Sequence, residues 1–125
     1  MSVPGLPSVL VIDDDAAVRR AVARFLRAEG LAVLEATNGA EGLMRLREAG
    51  DVSAILLDLR MPVMDGWAFR REQRLDPAIA DIPVVIMSGA DVDRFGELGA
   101  AATFEKPVQM SEVAVMLHRL CNRTS

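Results

Sequence analysis

The chain is 125 residues long, 51% apolar and 26% charged, with a net charge of −4. That length supports one domain with its own core, so no staples of the kind a miniature protein needs are called for. The acidic balance argues against sequence-independent binding to DNA or anionic membrane, since both reward a basic surface.

Residues 1–7, with Pro4, Gly5 and Pro7, read as a loose tail, residues 8–122 as one domain and residues 123–125 as a second tail. Met1 to Ser8 lacks the basic start and apolar stretch of a signal peptide. No apolar run approaches the roughly 18 residues needed to span a bilayer. Cys121 is the single cysteine, which rules out an internal disulfide and suits a reducing cytoplasm. A cytoplasmic protein is expected.

Val9-Leu10-Val11-Ile12 is a short apolar run of buried-strand type, and it ends in Asp13-Asp14-Asp15. Ala16 to Glu29 follows as a helix whose inward face is expected at Val18, Ala21, Val22 and Phe25, with Arg20, Arg24 and Arg27 solvated on the other side. Asp15 is its expected cap and Gly30 its stop. Leu31 to Ala36 is a strand, Asn38-Gly39 a turn signal, and Ala40 to Ala49 a helix closed by Gly50.

Val52 to Leu57 is the next buried strand, and it runs straight into Asp58. The chain then passes Pro62 and turns at Asp65-Gly66. Gly66 to Leu75 is expected to be helical, although two adjacent arginines interrupt a weak amphipathic pattern. Pro83 to Met87 is a strand reaching Ser88, and Asp91 to Leu98 a short helix stopped by Gly99. Ala101 to Glu105 is the last strand, leading into Lys106-Pro107. Ser111 to Leu120 is the last helix, with Val113, Met116, Leu117 and Leu120 inward. His118 is read as an exposed helix residue, Cys121 as a small apolar core residue and Trp67 as packing.

This alternation predicts a three-layer, doubly wound α/β domain with a parallel sheet. In such sheets ligands bind beyond the carboxyl ends of the strands. Asp13, Asp14, Asp58, Ser88 and Lys106 all fall there. A carboxylate at the end of a buried strand is costly unless something pairs with it. Carboxylates gathered at one place repel by roughly 4 kcal/mol per pair at 4 Å and an effective dielectric of 20. A divalent cation relieves that, and an all-oxygen donor set favours Mg2+ over Zn2+. A strand-end carboxylate beside such a cation can act as a nucleophile toward phosphorus. Lys106 and the Ser88 hydroxyl are then candidates to meet the charge spread over the phosphoryl oxygens. Lys106 is also the only lysine in a chain that otherwise uses arginine.

Val11-Ile12-Asp13-Asp14-Asp15, Asp58-Leu59-Arg60-Met61-Pro62-Val63-Met64-Asp65-Gly66, Ser88-Gly89-Ala90 and Phe104-Glu105-Lys106-Pro107, in this order, resemble the receiver domains of two-component response regulators. The resemblance implies a flavodoxin-like five-stranded sheet in the order 2-1-3-4-5 with five helices. It implies Asp58 as phosphoacceptor, with Asp13, Asp14, Asp58 and the backbone carbonyl of Arg60 holding Mg2+. Ser88 would be the switch hydroxyl and Lys106 the phosphate partner. The donor would be a histidine kinase or histidine phosphotransfer protein, or a small phosphodonor. The protein would be a signalling switch and not an enzyme, a monomer or weak dimer, with an unknown downstream protein partner and no nucleic acid or membrane.

Two features depart from the family pattern. Thr103 stands where an aromatic residue is usual, and Phe104 falls on the neighbouring, inward position. The interval from Ser88 to Gly99 is shorter than the family norm by about four residues, roughly one helical turn, so the fourth helix is expected to be shortened. Two other readings remain open. One is a degenerate receiver that binds a partner without phosphorylation. The other is a Mg2+-dependent phosphatase with Asp13 as nucleophile, which Asp13-Asp14-Asp15 superficially resembles, although Ala17 stands where that family has threonine or valine.

Overall fold

The computed structural model describes residues 6–58, 66–88 and 99–123. The expected Mg2+ ligand Arg60, the turn at Asp65, the segment Gly89-Ala90 and the shortened helix Asp91 to Leu98 lie outside them, as does most of the predicted N-terminal tail. Five strands are present: β1 (Ser8–Ile12), β2 (Ala32–Ala36), β3 (Ala54–Asp58), β4 (Val84–Ser88) and β5 (Ala102–Glu105). Four helices are described: α1 (Ala16–Ala28), α2 (Gly39–Ala49), α3 (Gly66–Leu75) and α4 (Met110–Arg123). All strand pairs are parallel, and the sheet runs β2-β1-β3-β4-β5, as expected.

The central strands are apolar on both faces because helices cover both. Leu10, Ile12, Ile55, Leu57, Val84 and Ile86 point into one layer, where Leu43 and Leu46 of α2 and Phe69 of α3 meet them. Val9, Val11, Leu56, Val85 and Met87 point into the other, against Val22 and Leu26 of α1 and Val113 and Leu117 of α4. Each such large side chain, once fully buried, contributes about 1.5–3 kcal/mol. Trp67 packs against the first layer and Cys121 is buried in the second, as the sequence implied.

The helix ends follow local chemistry. Asp15 caps α1, its carboxylate accepting hydrogen bonds from the backbone N–H groups of Ala17 and Val18. Asn38 caps α2 by accepting from the Glu41 N–H. Gly50 closes α2 at a φ of 74°, a left-handed position that favours glycine.

Two expectations need correction. The inward face of α1 is Arg19, Val22, Ala23 and Leu26, one residue round from the predicted stripe. Val18 and Ala21 face out, and Phe25 is half-buried. His118 is half-buried, with Nε2 2.6 Å from the Glu29 carbonyl oxygen, so it ties α4 to the end of α1.

Candidate functional site

The strand register assembles the site. Ile12, Leu57, Ile86 and Thr103 form one row across four strands. Asp13 and Asp58 come one residue after that row, on adjacent strands. Ser88 is the last residue of β4, and Lys106 follows the end of β5. The strand order reverses at β1, so the two aspartates straddle the switch point where such sheets bind ligands.

Carboxylate oxygens of Asp13, Asp14 and Asp58 lie within 4.8 Å of one another. Asp13 and Asp58 are buried, while Asp14 is exposed. Lys106 Nζ stands 3.4 Å from Asp58 Oδ2, with the lysine side chain partly in solvent. Lys106, one of several partners expected for Asp58 from sequence, is thus within ion-pair distance of it.

Asp13 is anchored at three points. Its N–H donates to the Ala36 carbonyl at 3.1 Å. Its Oδ1 accepts from the Asp15 N–H at 2.9 Å. Its own carbonyl accepts from Arg19 Nη1 at 3.0 Å. The remaining oxygen, Oδ2, is buried and has no hydrogen-bond partner among the described residues. Burial pushes the Asp13 carboxyl above its ordinary 3.8, and the Asp58 and Asp14 carboxylates add to that shift. The Asp15 N–H and the Lys106 ammonium work against it. A buried, anchored carboxylate with one open oxygen, facing two other carboxylates, suits a hard divalent cation.

Thr103 is exposed on β5, while Phe104 packs against the α1 and α4 layer. Phe104 thus takes the inward position that the family resemblance implied.

Arg19 was not among the candidates drawn from sequence. It is buried, with Nη1 on the Asp13 carbonyl and Nε 3.1 Å from Glu35 Oε1. A signal did exist, because Arg19 shares a helical stripe with Val22, Ala23 and Leu26. The all-apolar stripe one residue away concealed it.

A parallel α/β sheet in this order, with an acidic cluster and a lysine at its switch point, defines a receiver-type domain. Comparison with known proteins agrees: the chain belongs to the response regulator receiver domain family, whose model matches residues 9–118. It is 35% identical to the two-component response regulator ORR5 of Oryza sativa subsp. japonica, over 95% of this chain and 89% of that protein. It is 33% identical to the sensor histidine kinase CheAY of Helicobacter pylori over 89% of this chain, but spans only 14% of that protein. Among solved structures, the receiver domain of the Francisella response regulator 1452 superimposes with a TM-score of 0.85 at 27% identity, covering 95% of this chain and 99% of that one. Receiver domains are signalling switches and are not classed as enzymes.

Proposed function

We propose that this receiver domain takes a phosphoryl group on Asp58 from a phosphohistidine of a histidine kinase or histidine phosphotransfer protein. The observation that carries this reading is Asp58 itself, a buried carboxylate paired with Lys106 and clustered with Asp13 and Asp14 at the switch point. In the transfer an Asp58 oxygen forms a bond to phosphorus as the phosphorus–nitrogen bond of the donor breaks. The electron pair stays with the departing imidazole, which picks up a proton.

Lys106 holds a positive charge where the phosphoryl oxygens arrive, and Ser88 offers a hydroxyl at the end of the neighbouring strand. Asp13, Asp14 and Asp58, with the Arg60 backbone carbonyl, would hold Mg2+. The open Asp13 Oδ2 supports that fit. When bound, Mg2+ supplies charge that offsets the repulsion among the carboxylates and on the transferred group. Phosphorylation then biases a two-state surface that a separate protein reads. The folding unit is residues 8–122, acting in the cytoplasm as a monomer or weak dimer. Among the described residues no helix is long and apolar enough to cross a membrane.

The test is intact-protein mass after incubation with acetyl phosphate and Mg2+, for the wild type and Asp58→Asn. One adduct that requires Mg2+ and is absent from the variant is the expected result. Label on Asp13, with turnover of external esters, would instead revive the phosphatase reading. No adduct from either a small donor or a histidine kinase, with Mg2+ binding shown separately, would favour a phosphorylation-independent binding module.

A further inference from the structure

We infer that Arg19 is a positioning residue for the metal site: its guanidinium clamps the Asp13 backbone carbonyl, and Glu35 on β2 clamps the guanidinium. The inference rests on the Mg2+ reading of the acidic cluster.

Burying a guanidinium is expensive unless its donors are satisfied. The helix nevertheless turns Arg19 inward and leaves Val18 and Ala21 outside. An ion pair with Glu35 alone would pin α1 to β2 and do nothing more. Arg19 does more, because Nε takes Glu35 at 3.1 Å while Nη1 reaches the main chain of Asp13 at 3.0 Å. Glu35 is itself steadied by Arg27, 3.6 Å from its other oxygen.

The consequence lies in how Asp13 is held. Asp14 and Asp58 repel its carboxylate, and a residue free to move would swing away. Bonds at its N–H, its carbonyl and Oδ1 oppose that swing and leave Oδ2 without a hydrogen-bond partner among the described residues. The strain of gathering like charges is thus met during folding, before any cation arrives. Partners that orient a metal's ligands typically change metal affinity about 10- to 100-fold when removed. Arg19 does this through the backbone. Its positive charge is matched by Glu35 and is not presented to the cation.

The test uses the full chain. Mg2+ affinity is measured by titration calorimetry, well below the melting temperature, for the wild type, Arg19→Met, Arg19→Lys and Arg47→Met. Arg19→Met keeps an apolar stem and loses the fork. Arg47→Met breaks an ion pair of similar type at the other end of the sheet. Arg19→Met should bind Mg2+ about 10-fold or more weakly. The Mg2+ concentration for half-maximal phosphorylation should rise by the same factor, with little change in rate at saturating Mg2+. Arg19→Lys should recover part of the affinity, and Arg47→Met should match the wild type.

Unchanged affinity in Arg19→Met, whatever its melting temperature, overturns the inference and leaves the functional reading standing. A wild type that binds no Mg2+ overturns both. Should Arg19→Met fail to fold, Glu35→Met carries the test, since it removes the acceptor and releases the guanidinium without deleting it. Weakened Mg2+ binding there supports the clamp, and unchanged binding overturns it.

Discussion

The two ends of the sheet carry similar residues and differ in what those residues can do. At the amino ends of β3 and β4, Asp51, Ser53 and Asp81 line a groove of about 350 Å³ with Pro77 and Pro83. At the carboxyl ends, Asp13, Asp14 and Asp58 crowd within 4.8 Å. Asp51 and Asp81 are exposed, so water screens them, whereas Asp13 is 1% and Asp58 5% exposed. Each end also holds one buried oxygen with no hydrogen-bond partner among the described residues: Ser8 Oγ at the amino end and Asp13 Oδ2 at the carboxyl end. The hydroxyl is neutral and stands apart from any charged cluster among the described residues. The carboxylate, gathered with Asp14 and Asp58, is the group we propose as a metal ligand. Space by itself does not mark a site; concentrated, desolvated charge does.

The sharpest way to break that contrast is Asp13→Asn. The amide can still accept from the Asp15 N–H, and its NH2 can donate where the carboxylate repelled its neighbours. The metal-free protein should gain about 1–3 kcal/mol of stability. Mg2+ affinity should fall at least 10-fold, as expected when a charged ligand is lost. Urea unfolding and calorimetry check the two halves, and a metal-free variant less stable than the wild type would refute the first. Ser8→Ala tests the other orphan. Removing an unsatisfied buried hydroxyl should stabilise by about 1 kcal/mol and leave Mg2+ affinity untouched.

The smallest effect is at Asp76, also at the amino end. The hydrogen bond from Arg47 Nε at 2.9 Å holds its carboxyl below the ordinary 3.8, and the Ala78 N–H helps. A depressed carboxyl stabilises above its unfolded value and loses that stabilisation as the pH falls through its folded one. The melting temperature of Asp76→Asn should therefore lie slightly below wild type at neutral pH. The gap should begin to close below about pH 4. A gap that widens in acid would show that the sign is wrong.

What could be read from the sequence was whatever depends on neighbours along the chain. The strands end where apolar runs meet Asp13 and Asp58, the caps at Asp15 and Gly50 are local chemistry, and register then brings Lys106 to Asp58. The rotation of α1 was hidden because two stripes of equal helical spacing compete there. The wholly apolar one, Val18, Ala21, Val22 and Phe25, was the natural choice. The protein uses the stripe containing Arg19 because Glu35, 16 residues away, and the Asp13 carbonyl satisfy the guanidinium. The same holds on α3. Arg70 is buried because its Nη1 donates to Gln73 Oε1 at 2.7 Å and Nη2 to the Gly99 carbonyl at 3.2 Å. Gln73 in turn donates to the Ile79 and Ile82 carbonyls. Buried polar groups are tolerated where partners meet them, and some of those partners, Glu35 and the Gly99 carbonyl, come from other parts of the chain that helical periodicity does not reveal.

The apolar central strands have one further consequence. When both faces of a strand are oily, hydrophobicity alone does not distinguish one pairing from another shifted by a residue. All five residues of β1 and all five of β3 are buried, so neither strand carries a polar face to set its alignment. The acidic residues at their ends supply it. Sliding β1 one position inward would draw Asp13 into the sheet, and sliding β3 would carry Asp58, already its last residue, deeper among the apolar rows, at a cost no buried leucine could offset. Asp13 and Asp58 thus act as end-stops for strand alignment.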